Sequence, residues 1–157
     1  MFDWLPPAMI LLVGAALIGL VRGQLRAIVI LIAPLLTLWA VWQVPDGVVL
    51  TLPFLEYQIE PIEGSPLRRL FATVFALMAF VGGLYSFRIA KWWELAAGYT
   101  YAAGAIGVSF AGDLISMFVF WELMALFSTV IVWSGGTPAS RAAGIRYAVL
   151  HLLGGVI

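Results

Sequence analysis

The sequence predicts an all-α fold, a polytopic transmembrane helix bundle, from three observations. Apolar residues make up 64% of the 157 residues and charged residues 10%, against roughly 45–50% and about 25% in soluble domains. The mean hydropathy is +1.08, so too little polar surface exists to face water on all sides. The apolar residues also gather into runs near the length a bilayer demands, about 20 residues each. Five complete spans and a partial sixth are expected.

The first span covers about 4–21. Asp3 precedes it and the arginines follow it, the reverse of a secretory signal peptide. The second covers about 25–44 and the third about 67–87. Between them, residues 45–66 form the one sizeable extramembrane loop. Its β-prone runs 48–52 and 55–59, parted by Pro53 and Phe54, can make a short β-hairpin with Glu56, Glu60 and Glu63 toward water. An irregular acidic loop is the alternative. The fourth span covers about 95–111 and the fifth 113–133. The sixth opens at Pro138, with Thr137 as its N-cap. The chain stops inside that sixth helix, which predicts a piece of something longer.

Small residues four apart (Ala15, Gly19 and Gly23; Gly98 and Ala102; Ala103 and Gly107) suit close helix packing in lipid, though such residues are common in membrane helices generally. Trp92 and Trp93 beside Lys91 fit an interfacial belt. Arg22, Arg26, Arg88, Lys91, Arg141 and Arg146 lie in or beside alternate connections, and only Arg68 and Arg69 lie on the other side. By the positive-inside rule the amino terminus is outside a cell membrane and the basic connections are cytoplasmic.

Composition also excludes functions. Eight basic and eight acidic residues cancel, leaving no basic field for nucleic acid. There are no cysteines, hence no disulfides, thiolate nucleophiles or cysteine-ligated clusters. A single histidine argues against a histidine-rich metal site, and no GxxxxGK[ST] phosphate loop occurs. No catalytic residue, cofactor or metal is expected.

Glu122 stands out. It falls about 14 Å into the fifth span, near the bilayer midplane. A charge there costs on the order of 2.5–3.5 kcal/mol even on the gentler insertion scales. Such a residue serves ion or proton movement, or a structural polar contact between helices. Phe118, Leu126 and Thr129 share its face. No cation in the chain lies at its depth, so a partner is expected on a later segment or another subunit. Asp113, at the mouth of the same helix after Gly112, reads as an N-cap before it reads as a proton-access group. His151 on the sixth helix is either a proton relay or a packing residue. Arg146 is a topology signal that can also pair with a carboxylate.

These residues carry a resemblance. Residues 113–124, Asp-Leu-Ile-Ser-Met-Phe-Val-Phe-Trp-Glu-Leu-Met, resemble the fifth helix of the antiporter-like, proton-translocating membrane subunits of respiratory complex I and of Mrp-type multisubunit cation/proton antiporters. Ala142-Ala143-Gly144-Ile145-Arg146-Tyr147, with His151-Leu152-Leu153-Gly154-Gly155, resembles the next helix. The tail looks closer to the D-type antiporter subunits. The resemblance implies that the chain is a single membrane domain, the amino-terminal part of a longer subunit. Peripheral helices would occupy about 4–87 and the start of the first inverted repeat about 95–157. It implies that Glu122 modulates a lysine on helix seven. Arg146 stands where lysine is usual, which puts a lysine-specific role there in doubt. The implied function is proton translocation within a Na+/H+-type antiporter, with protons and a monovalent cation as cargo and other subunits as partners. The alternatives are a proton-pumping subunit of a respiratory NADH:quinone oxidoreductase and a non-conducting assembly subunit.

Overall fold

The computed structural model describes residues 5–156; the expected start of the first span at Trp4, and Asp3, lie outside them. Along the chain run α1 (Pro7–Leu20), α2 (Gln24–Val41), β1 (Gly47–Phe54), β2 (Tyr57–Gly64), α3 (Pro66–Ser86), α4 (Trp92–Phe110), α5 (Leu114–Trp133) and α6 (Pro138–Val156). Sequential helices pack on one another, and α4 also packs on α1. α4 is therefore central, between α1, α3 and α5, with β2 at its end.

The caps are legible. Pro7 opens α1 and Pro66 opens α3, where a missing N–H costs nothing. Ser65 caps α3 by accepting from the Arg68 N–H at 3.3 Å. Thr137 Oγ accepts from the Ser140 N–H and Ser140 Oγ from the Thr137 N–H, both at 3.0 Å. That reciprocal pair holds the first turn of α6. Gly23, at φ +63°, makes the turn into α2.

The expectation of five complete spans is not supported. Among the described residues three helices, α2, α3 and α5, are long and apolar enough to cross a membrane. α1 is apolar but has 14 residues, about 21 Å of rise against a hydrocarbon core of about 30 Å. α4 has 19 residues but includes Glu94, Tyr99, Thr100 and Tyr101. Its inner faces meet protein on three sides, so neighbours rather than lipid shape its composition. α6 also has 19 residues, among them Arg141, Arg146 and His151.

The core joins Leu11 and Ile18 of α1, Ile30 of α2, Ala72 and Ala76 of α3, and Ile106 and Phe110 of α4. Close approach occurs at fewer small residues than their spacing suggests. A Cβ on Gly14 would stand 2.7 Å from the Ala33 Cβ, one on Gly104 2.7 Å from Met124 Cγ, and one on Gly107 inside the Phe120 ring. Ala15 and Ala103 are buried. Gly98 faces open space, and Gly23 lies before α2 rather than in α1. A Cβ on Gly19 would meet the Trp92 ring at 3.2 Å, which brings the end of α1 to the start of α4.

Proline also leaves a mark on packing. Pro34 inside α2 has no N–H to give the Ile30 carbonyl four residues earlier. The Tyr99 hydroxyl donates to that carbonyl instead. Gly83 makes the room, since a Cβ there would overlap the hydroxyl.

The hairpin exists, with its turn two residues later than the sequence suggests. β1 and β2 are antiparallel and pair Gly47 with Gly64 and Phe54 with Tyr57. Pro53 lies within β1 opposite Gln58. Both strands of a two-stranded sheet are edge strands, where proline is tolerated with its nitrogen on the side away from the partner. The turn falls on Leu55 and Glu56, and Leu55 takes φ +55°. Of the three expected water-facing acids, Glu56 is exposed and Glu60 and Glu63 are half-buried. Glu63 pairs with Arg68 at 2.5 Å, while Arg69 bonds the Val44 carbonyl at 2.8 Å and Asp46 at 2.7 Å.

Candidate intramembrane carboxylate site

The site is the α5–α6 interface. The two helices run antiparallel and meet through a file of matched residues. At one end a Cβ on Gly144 would overlap the Trp133 ring. Next, Ser128 Oγ and Tyr147 Oη are hydrogen-bonded at 3.0 Å. The His151 ring then stacks at 4.4 Å from Tyr147 and 6.4 Å from Trp121, tilted in both cases. At the far end Glu122 faces Gly155. Residues 147, 151 and 155 are four apart, so one face of α6 carries the whole file.

Both carboxylate oxygens of Glu122 are buried and accept no hydrogen bond among the described residues. A Cβ on Gly155 would overlap Oε1 and come 3.1 Å from Phe118 Cε2. The carboxylate thus rests on bare α6 backbone, with Phe118 of its own helix beside it. Of the residues expected on its face, Thr129 is spent locally, donating to the Ala125 carbonyl at 2.8 Å. An ionised carboxylate held this way forfeits hydration without a donor in exchange, a cost of several kcal/mol per ion. A proton or an approaching cation removes that cost.

The other expected site residues fall elsewhere. Asp113 caps α5, accepting from the Ile115 and Ser116 N–H groups at 2.8 and 2.9 Å and from the Ser116 hydroxyl at 2.6 Å. It also accepts from the Glu60 N–H at 2.6 Å, which ties β2 to the mouth of α5. Burial pushes its carboxyl up, but these hydrogen bonds, led by Ser116, outweigh burial and hold it below the ordinary carboxylate value. Gly112 N–H donates to the Glu60 carbonyl at 2.8 Å, and Arg68 donates to the Ala111 carbonyl at 2.5 Å. Arg146 is exposed and its Nε reaches the Ala142 carbonyl at 3.4 Å. The ion pairs among the described residues are Arg68–Glu63 and Arg69–Asp46, so Arg146 pairs with no described carboxylate. His151 joins the file that contains Glu122, through Trp121 and Tyr147.

Sequence reasoning misses Gly155 and the Ser128–Tyr147 bond. The one signal is the glycine pair Gly154-Gly155, which does not say which glycine faces the partner helix. Among the described residues, no group of three or more metal-ligating side chains could hold a metal ion.

No family model and no solved structure matches the chain. Over 117 residues it is 27% identical to the D subunit of the Na(+)/H(+) antiporter of Bacillus subtilis, covering 71% of this chain and 21% of that protein. Over 125 residues it is 25% identical to the D subunit of the Na(+)/H(+) antiporter of Alkalihalophilus pseudofirmus, covering 74% and 22%. The chain spans about a fifth of the length of these curated relatives. Both similarities are to the same component of a Na+/H+ antiporter.

Proposed function

We propose that this chain is the amino-terminal part of a membrane subunit of a multisubunit Na+/H+ antiporter, and that Glu122 takes part in moving protons through it. The observation that carries the reading is Glu122 itself, a membrane-helix carboxylate with both oxygens buried and no donor among the described residues. Two relatives named as antiporter subunits support the transport class and favour it over a respiratory subunit. In this reading α1 to α3 are peripheral, and α4 to α6 begin a repeat that later segments complete. The amino terminus faces outward across the cell membrane, and the basic connections face the cytoplasm.

Glu122 exchanges its proton as a cation approaches and leaves, and His151 is a secondary carrier on the same interface. Asp113 serves as cap and clamp, and Arg146 as a charge toward a neighbouring subunit or the headgroups. The decisive experiment is Glu122→Gln in the intact complex, assayed for Na+-driven proton movement in membrane vesicles. Exchange should fall by about a hundredfold, in the range that loss of a general acid or base produces, with the amount of inserted protein unchanged. Unchanged exchange would refute the role.

A further inference from the structure

Glu122 and Gly155 form one unit across the α5–α6 interface, and the two glycines at the end of α6 are not equivalent. A Cβ on Gly155 would overlap Glu122 Oε1 and crowd Phe118 Cε2 at 3.1 Å, whereas a Cβ on Gly154 meets nothing within 4 Å. Helix propensity makes the same demand at both positions, each glycine costing roughly 1 kcal/mol relative to alanine. Propensity alone would favour alanine at both. The difference between them is the carboxylate.

We infer that Gly155 is a positioning residue for Glu122: its missing side chain is the seat that holds the carboxylate buried against α6, with both oxygens unpaired among the described residues. The inference rests on the proposed role of Glu122 and adds the element that fixes its location. With a methyl group at 155 the carboxylate must rotate off α6. It then reaches either lipid-facing space or the Phe118 side of the interface, away from any proton donor or cation that meets it at the seat. α5 itself need not move, because the Glu122 side chain has rotatable bonds that can take up the displacement. The titratable and charged groups on the elements packed against α5 are Arg141, Arg146, Tyr147 and His151 on α6, Glu94, Tyr99 and Tyr101 on α4, and Tyr57, Glu60 and Glu63 on β2. Of these, His151 is one turn from Gly155 on the same face.

The test compares Gly155→Ala with Gly154→Ala in the intact complex, using two readouts. The first is the infrared carboxyl band of Glu122, identified by its disappearance in Glu122→Gln. Gly155→Ala should shift the band and Gly154→Ala should leave it in place. The second is Na+-driven proton movement, which Gly155→Ala should lower by about tenfold or more, as misplacement of a reacting group by an ångström does. Gly154→Ala should stay near wild type. Adding Glu122→Asp to Gly155→Ala withdraws the carboxylate by one methylene and should recover part of the exchange, which a folding defect would not allow. An unshifted band in Gly155→Ala, or equal shifts in the two alanine variants, overturns the inference. Because the band reports the seat independently of transport, a transport-silent Glu122→Gln would sink the function and leave the seat decided by the infrared result.

Discussion

The Tyr99 hydroxyl donates to the carbonyl of Ile30, the acceptor that Pro34 strips of its helical partner. In a membrane no water replaces the missing donor, so a residue on α4 completes the hydrogen bonding of α2. Tyr99→Phe should therefore destabilise the bundle by about 1 kcal/mol, measured by unfolding in mixed micelles. Pro34→Ala restores the N–H within α2. The double variant should then lose less than the sum of the single ones, and strict additivity would show that the bond does not compensate for the proline.

Helix contact at α4–α5 depends on Gly107, where a Cβ would enter the Phe120 ring. Gly107→Ala should cost about 1–3 kcal/mol through overpacking. Gly98→Ala, in open space on the same helix, should be neutral or slightly stabilising. Equal thermal stability of the two variants in detergent would contradict the packing described here.

The helices are largely readable because Pro, Ser, Thr and Asp announce their starts. Asp113 before Leu114 and Thr137 before Pro138 stand where the sequence places them. α4, expected from about 95, begins at Trp92, because Glu94 reaches back to the Lys91 N–H at 2.8 Å and adds a turn. Length and composition support three of the expected spans, α2, α3 and α5, while the composition of α4 is set by the neighbours that surround it. Glu122 is legible by its depth alone. Gly155 and the Tyr99–Ile30 bond are not, because both depend on which faces of two helices meet, and periodicity does not specify a partner.

At the hairpin tip, Leu55 holds φ +55° and is 88% exposed. A branched side chain in this left-handed region costs roughly 1–2 kcal/mol, which glycine avoids. Leu55→Gly should raise the resistance of residues 45–66 to limited proteolysis. Faster cleavage would mean that the Leu55 side chain holds the turn.

Asp113 makes the clamp between β2 and α5 pH-dependent. Its carboxyl is held below the ordinary value in the fold, so the native state favours the ionised form. The resulting stability is present above the unfolded carboxylate range, about pH 4, and is lost as pH falls through the lower folded value. Asp113→Ala should cost about 1–2 kcal/mol at neutral pH, the usual worth of such a cap. It should also flatten the dependence of stability on pH below about 4. An unchanged acid profile would assign that dependence to another carboxylate.

Gly112 and Asp113 are tied to the backbone of Glu60, and Arg68 ties the carbonyl of Ala111. The hairpin end of α5 is thereby tied to β2 and α3, and the rest of the helix is an arm held between α4 and α6. Glu122 lies about 14 Å along that arm, so a tilt of about 5° carries its carboxylate by about 1 Å. A displacement of that size would open the contact between the carboxylate and the backbone of Gly155. The hairpin thus sets the fulcrum from which such a displacement is measured.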